Sequence, residues 1–438
     1  MGDHHSDAST TVARSGKIPV IAFYNTSSGS QRAESFSRLQ NPVELSDDLQ
    51  LWCYDLRDKE RFVKGVSHVQ QVVEVAQEPR HGSEQQGRPK CIVLSCGGDG
   101  TIPAVVAALH ARSVPVFNNS QVVFGVLPFG TANILSRFLG WGTTMDKTFA
   151  DDLAGLIGRL ASAPVAMVDV MEVTVVGARD PEFSDKGRKE KGSQKKDHDK
   201  SRSSGEEQDD VEEKRFMMLQ ACIGFEARLA RFVEKHRTSN RLCNMFVSSM
   251  NVIRQLIVPH PHIERVIKSI QSPSPGWRPH IIASHPCVQL NIQNIPAAAN
   301  KDHSLWNSNS SEDIDENKEN DNLCPQKVDD GQCEVFVYPC KHRYLLNNLH
   351  AALGVSSDVD ALGQVKLPIN VEFDTSKKLL SETYIFIDGE HIPLKRPRSL
   401  SVRSPGRVAF AIHPDNVDKI KDFISARDNL RDSAISLV

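Results

Sequence analysis

Cys91-Ile92-Val93-Leu94-Ser95-Cys96-Gly97-Gly98-Asp99-Gly100-Thr101 is a short apolar run that ends in a turn of three glycines, an aspartate and a threonine. Residues 91–94 carry no alternation of polar and apolar side chains, as expected of a strand buried on both faces. Beyond the turn, Ile102, Val105, Val106 and Leu109 recur at helical spacing, which predicts an amphipathic helix. Strand, glycine-rich turn and helix N-terminus together make a phosphate-binding arrangement. Glycine lets backbone N–H groups approach an anion closely, and the helix dipole favours negative charge there. Asp99 would repel a phosphate on its own, so it calls for a divalent cation between them or a hydroxyl to bind.

Outward from this stretch, strand and helix signals alternate. Ile18–Tyr24 reads as a first strand running into Asn25-Thr26-Ser27-Ser28-Gly29-Ser30, a second Gly/Ser turn. Leu49–Leu56 reads as a strand, and Phe62, Val66, Val69, Val73 and Ala76 mark a helix with one buried stripe. Val122–Leu127 is a further strand, followed by Pro128-Phe129-Gly130-Thr131-Ala132-Asn133 and then a helix expected near 148–162. This alternation predicts an α/β layer with a parallel sheet and right-handed crossovers. Its three turns, 25–29, 97–101 and 128–133, leave the carboxyl ends of strands, where ligands of such sheets bind.

After residue 165 the pattern changes. Val165–Val176, Phe216–Phe225, Val288–Ile292, Val335–Tyr338, Val371–Phe373, Tyr384–Ile387 and Val408–Ile412 read as strands with few helices between them. They predict an antiparallel β-rich sandwich or barrel. Residues 179–215 and 297–332 are crowded with charged and polar side chains and are expected to be disordered insertions. The expected division is a disordered 1–16, a nucleotide-binding domain over 17–164, a β-rich domain over 165–412 and a helix in 413–438 that packs back on the first domain. Lys395–Ser401 reads as a basic loop.

A net charge of −3 gives no reason to expect a nucleic-acid partner. The nine cysteines include no C-x-x-C pair, which fits a reducing compartment better than a disulfide framework or a zinc site. No run approaches the roughly 20 apolar residues of a membrane span. The turns lack the lysine of a Walker A motif, and Ser95 lacks the preceding glycine of a hydrolase nucleophile elbow.

The Gly97–Thr101 turn resembles the GGDGT signature of the diacylglycerol kinase catalytic-domain superfamily, which includes sphingosine, ceramide and NAD kinases. Leu127–Gly142 resembles the eukaryotic diacylglycerol kinase segment L-P-x-G-T-G-N-D-L-A-R-x-L-x-W-G, with Ile134 where the family carries Asp. Asn25, Ser28 and Gly29 match the family's N-P-x-S-G turn, with Thr26 in place of Pro. Gly224-Phe225-Glu226-Ala227 resembles the element that opens the lipid-side domain. Asp388-Gly389-Glu390 resembles the family's D-G-E turn, although Asp-Gly is also the strongest hairpin signal.

The resemblance implies ATP held by Asn25, Ser28, Gly29, Gly97, Gly98, Asp99, Gly100, Thr101, Gly130, Thr131 and Asn133. It implies Mg²⁺ on Asp99 and Asp169. Glu390 is the expected catalytic base, Asp388 orients it, and Asp99 is the second candidate for the base. The implied reaction is phosphorylation of diacylglycerol to phosphatidic acid, with sphingosine or ceramide as alternative substrates and a catalytically silent lipid-binding relative as the alternative class. The expected location is cytoplasmic, with peripheral association to a membrane that supplies the lipid. A homodimer is carried as a candidate assembly.

Overall fold

The computed structural model describes residues 17–26, 32–75, 91–130, 132–146, 148–180, 210–236, 254–255, 257–274, 286–295, 325–353, 359–425 and 430–431. The first layer is built on β1 (Ile18–Tyr24), β2 (Val43–Glu44), β3 (Leu49–Asp55), β4 (Cys91–Gly97) and β5 (Asn119–Pro128), with helices α1 (Lys59–Val75), α2 (Thr101–Ala111), α3 (Ile134–Phe138) and α4 (Leu153–Ala161). β3, β1, β4 and β5 are neighbours in that order and all parallel. Every residue of β4 is buried. Alternate residues supply opposite faces: Ile21, Phe23, Val93 and Phe124 pack with Val66, Val69, Val105 and Leu109 of α1 and α2, while Val20, Ala22, Ile92, Leu94 and Val123 pack with Ile157 and Leu160 of α4. Helices on both faces explain why these strands read as continuous apolar runs.

The rest of the chain supplies β6 (Val165–Arg179), β7 (Asp210–Met217), β8 (Gln220–Gly224), β9 (Ile267–Gln271), β10 (Gln289–Gln293), β11 (Gln332–Tyr338), β12 (Asp360–Lys366), β13 (Ile369–Phe373), β14 (Ile385–Ile387), β15 (Glu390–His391), β16 (Leu394–Ala411) and β17 (Leu430–Arg431). Helices α5 (Phe225–Lys235), α6 (Lys341–Leu353) and α7 (Val417–Lys421) lie between them. The second sheet runs β12-β11-β10-β8-β14-β15 and is antiparallel throughout. Its inner face, with Ala221, Ile223, Leu290, Ile292, Val335, Val337 and Ile385, closes a sandwich on Val173, Val175, Leu400 and Val402.

Those last four residues lie on β6 and β16, which are also part of the first sheet. β6 and β16 pair antiparallel along almost their whole length. The end of β16 runs parallel to β5, and its other half pairs with β13. Val168, Val170 and Phe410 face the first layer's core, and the same two strands then supply the sandwich core. The two layers are therefore joined by a shared two-stranded ladder, not by a linker.

Several expectations are corrected. Residues 179–180 and 210–215 of the first expected insertion are ordered: Asp180 is fully buried, and β7 pairs with β6 from Asp210 to Met217. The strand is charged because one side faces water, and cross-pairs such as Arg398–Asp210 at 2.7 Å flank it. Residues 325–332 of the second are also ordered. Val328 is buried in the first layer's core and accepts the Asp169 N–H at 2.6 Å. Lys395–Ser401 is not a loop but part of β16, with the register broken around Pro397. In place of a C-terminal helix over 413–438, the described residues show a 3₁₀ turn at Pro414–Asn416, the five-residue α7 and the short β17 paired to β6. Ile420 and Ile424 of this region are buried in the first layer's core. Residues 1–16 lie outside the described residues, as do 181–209 of the first insertion and 297–324 of the second.

Candidate active site

The register of the parallel strands brings the turns together. Tyr24 pairs with Asp55 and Cys96, Cys96 with Leu127, and Gly97 with Pro128, so β1, β3, β4 and β5 end at one edge. Main-chain bonds tie the turns to one another. The Asn25 N–H donates to Cys96 O at 3.1 Å, and the Phe129 and Gly130 N–H groups both donate to Gly97 O at 3.1 Å. A side chain on Gly130 would overlap the Gly98 Cα, and one on Gly97 would overlap the Thr101 hydroxyl. The glycines are thus required by the close approach of two turns. Helix α2 starts at Gly100 with no side-chain cap, so its first N–H groups are not closed off by a neighbouring side chain.

Asp99 sits in this turn, partly buried, and its Oδ1 accepts the Leu135 N–H at 3.0 Å. Desolvation raises its pKa against the pull of the 133–135 N–H groups and the Arg137 charge. Asn133 takes a left-handed conformation (φ 51°). Its Oδ1 accepts the Gly130 N–H at 2.9 Å, and its Nδ2 donates to Gly130 O at 3.0 Å and Thr143 O at 2.7 Å. Asn133 therefore braces Gly130 from within the segment.

The second layer delivers the Asp388–Glu390 turn to the same place. Asp388 (φ 45°) and Gly389 (φ 92°) form a two-residue hairpin between Ile387 and Glu390. Both central residues have positive φ, the geometry of the primed turns that Asp-Gly favours. The hairpin and the site readings of this sequence thus describe one object. Asp388 is buried, and its carboxylate accepts the N–H groups of Met218, Leu219 and Gln220, the last two at 2.9 Å. Burial pushes its pKa up to about 7 despite those bonds, and the Asp99 charge pushes the same way. Anchored so, the hairpin lays Glu390 over the start of α2: the Glu390 Oε1 lies 2.8 Å from where a Gly100 Cβ would stand. The Glu390 side chain is 58% exposed and 3.6 Å from the Arg215 guanidinium.

The structure thus brings together Asn25, Gly97, Gly98, Asp99, Gly100, Thr101, Gly130, Asn133, Asp388 and Glu390. Ser28, Gly29 and Thr131 lie outside the described residues. Asp169 stands elsewhere: its Oδ2 accepts the Gly331 N–H at 2.7 Å, and its main chain is tied to Val328 and Asn294. Burial first, then the charges of Asp330 and Asp329, push its pKa up to about 7. Among the described residues, no group of three or more His, Cys, Asp or Glu side chains is placed to hold a metal ion. Asp388 has both oxygens engaged by main-chain N–H groups, which leaves the partly buried Asp99 as the candidate carboxylate for a cation. Two basic residues escaped the sequence reading. Arg137 was in plain sight within the Leu127–Gly142 segment, whereas Arg215 lay in a stretch that composition alone marks as unstructured.

These features define a two-layer α/β protein with a glycine-rich strand-edge site completed by an acidic hairpin. Residues 19–171 match the family described as diacylglycerol kinase catalytic domain. Among similar curated proteins, the eye-specific diacylglycerol kinase of Drosophila melanogaster is 33% identical over 130 residues, covering 28% of this chain and 7% of that one. Diacylglycerol kinase 3 of Arabidopsis thaliana is 27% identical over 160 residues, covering 36% and 31%. The matches thus span less than a third of either relative's length. A solved diacylglycerol kinase from Bacillus anthracis str. Sterne aligns over 91% of this chain and 98% of its own, with a TM-score of 0.46 and 15% identity.

Proposed function

We propose that the protein is an ATP-dependent lipid kinase that phosphorylates the free hydroxyl of diacylglycerol, giving phosphatidic acid. The observation that carries this reading is the approach of Glu390 to Gly100: a carboxylate from one layer meets the phosphate-type turn of the other, from 290 residues away along the chain. Phosphoryl transfer needs positioning and charge stabilisation above all. The amides at the start of α2 bind and orient the phosphates, and the 128–130 turn braces the Gly97 end of β4 through its own N–H groups. Glu390, exposed at the mouth, takes the proton from the lipid hydroxyl as its oxygen bonds to the γ-phosphorus and the bond to ADP breaks. Asp388 positions Glu390 through the hairpin. Mg²⁺, when bound, would supply charge neutralisation, with Asp99 as its candidate ligand.

Ile134 bears on a second reading, the silent lipid-binding relative, because no carboxylate replaces the family's Asp there. The main chain of this segment serves the site all the same, since the N–H groups of 133–135 stabilise the Asp99 carboxylate. No helix among the described residues is long and apolar enough to cross a membrane. The reading accordingly has the protein meeting its lipid at a membrane surface.

Purified protein given ATP, Mg²⁺ and diacylglycerol in mixed micelles should turn over. Asp99→Ala should abolish turnover, and Glu390→Gln should lower kcat by roughly 10²–10⁴-fold. Turnover of sphingosine or ceramide in place of diacylglycerol would move the substrate. Failure with all three lipids would favour the silent relative, and a Glu390→Gln variant as fast as the parent would remove the base.

A further inference from the structure

On the sandwich side of the molecule, α5 borders a pocket of about 460 Å³. This lies in the range of small-molecule sites, roughly 300–1,000 Å³. Its lining holds four fixed cations, Arg228, Arg231, Lys235 and Arg254, against one carboxylate, Glu382. Charged side chains on a helix usually fan out into water, but these converge on a concavity. With Asp180 buried behind Arg231 as a second carboxylate, four positive charges stand against two negative ones, a balance that still attracts an anion.

The walls are rigid. Arg231 donates from Nε and Nη2 to the fully buried Asp180 at 3.1 and 2.9 Å, and its guanidinium lies 4.8 Å from the Tyr384 ring. Arg228 donates to Glu382 Oε2 at 2.6 Å and lies 6.0 Å from the same ring. Their side chains are only 14% and 16% exposed, so both guanidinium groups are held in place before any ligand arrives. Arg254 lies over Phe232 at 5.9 Å on the other side. Guanidinium groups held in this way keep their positive charge in place for a phosphate oxyanion.

We propose that this pocket is a second anion site, distinct from the nucleotide turns, and that it binds a phosphate monoester carried either on a lipid headgroup or on a soluble metabolite. Tyr384 also packs against His391, at 5.8 Å between rings, so the pocket backs onto the hairpin that bears Glu390. An occupant there borders the active site from behind without entering it.

The test is binding by the full chain, read without turnover, so that it succeeds or fails separately from the kinase reading. Sedimentation with phosphatidylcholine vesicles is compared with and without phosphatidic acid, and glycerol 3-phosphate is the soluble probe. Lys235→Glu and Arg254→Glu change exposed residues, and each should weaken binding about fivefold. Lys421→Glu, a charge reversal on α7, should not. Competition by glycerol 3-phosphate supports the pocket and assigns it to a soluble phosphomonoester; vesicle binding without competition supports it and assigns it to the headgroup. The proposal is overturned if neither probe binds, if both pocket variants bind like the parent, or if Lys421→Glu loses as much as they do.

Discussion

The two layers contribute to the cleft in unlike ways. The parallel layer offers mostly backbone: glycines at 97, 100 and 130 allow close approach, and α2 begins without a side-chain cap. The antiparallel layer offers one side chain, Glu390, on a hairpin held from beneath by Asp388. Rigid donors from one side and an aimed acid from the other form a composite site, and neither layer holds it alone. The contrast extends to the acids. Asp388 is buried and engaged with main-chain N–H groups, whereas Glu390 is left exposed, so one carboxylate holds the geometry and the other is the proposed base.

Removing the anchor should break this contrast most sharply. Asp388→Ala leaves three N–H groups without their acceptor, two of them buried, at about 1–3 kcal/mol for each buried unsatisfied group. We expect chemical denaturation to show a loss of several kcal/mol, and kcat to fall with Glu390 misplaced. A variant of parental stability and rate would mean that the hairpin holds itself.

Asp169 sharpens the comparison from the other layer's edge. Its pKa is raised in the fold to about 7 from an ordinary value of 3.8, so the folded state keeps a proton that the unfolded chain has released between those values. Stability from this group is thus full below pH 4 and lost as pH rises through 7. A shift of this size is worth on the order of a few kcal/mol. Asp169→Asn should flatten the fall in melting temperature between pH 4 and 8 while leaving the Gly331 bond in place. Parallel curves for parent and variant would exclude a raised pKa.

The smallest effect concerns the ion pair at the mouth. Arg215 and Glu390 lie 3.6 Å apart with side chains 43% and 58% exposed, a geometry worth between nothing and about 1 kcal/mol. Arg215→Ala should leave the melting temperature within a few degrees and raise the sensitivity of KM to salt little. A large fall in kcat would instead make Arg215 part of the phosphate-binding machinery.

What could be read without coordinates was the parallel layer. Its strands are buried on both faces, so Cys91–Leu94 and Val122–Leu127 announce themselves as apolar runs, and the glycines mark where they end. The ladder of β6 and β16 was harder to see, because its halves lie more than 200 residues apart and Pro397 interrupts the signal of the second. Strand β7 was hidden by its own charges: Glu212, Glu213, Lys214 and Arg215 look like a tether until β6 is there to pair with their main chain. Val328 was lost among polar neighbours although its side chain is fully buried. Of the site, the turn chemistry was legible, and the functional role of Asp388 as a buried anchor was not, because its three donors lie 168–170 residues earlier.

The continuous ribbon of β6 and β16 has a mechanical consequence. Two layers hung on a flexible tether can swing freely, but two layers sharing hydrogen-bonded strands behave like the arms of a leaf spring. The pairing of the ribbon slips between Arg403 and Gly406, where Gly406 has φ 143° and its Cα hydrogen faces the Asn118 amide. Bending there would change the gap between Gly100 and Glu390 while both cores stay intact.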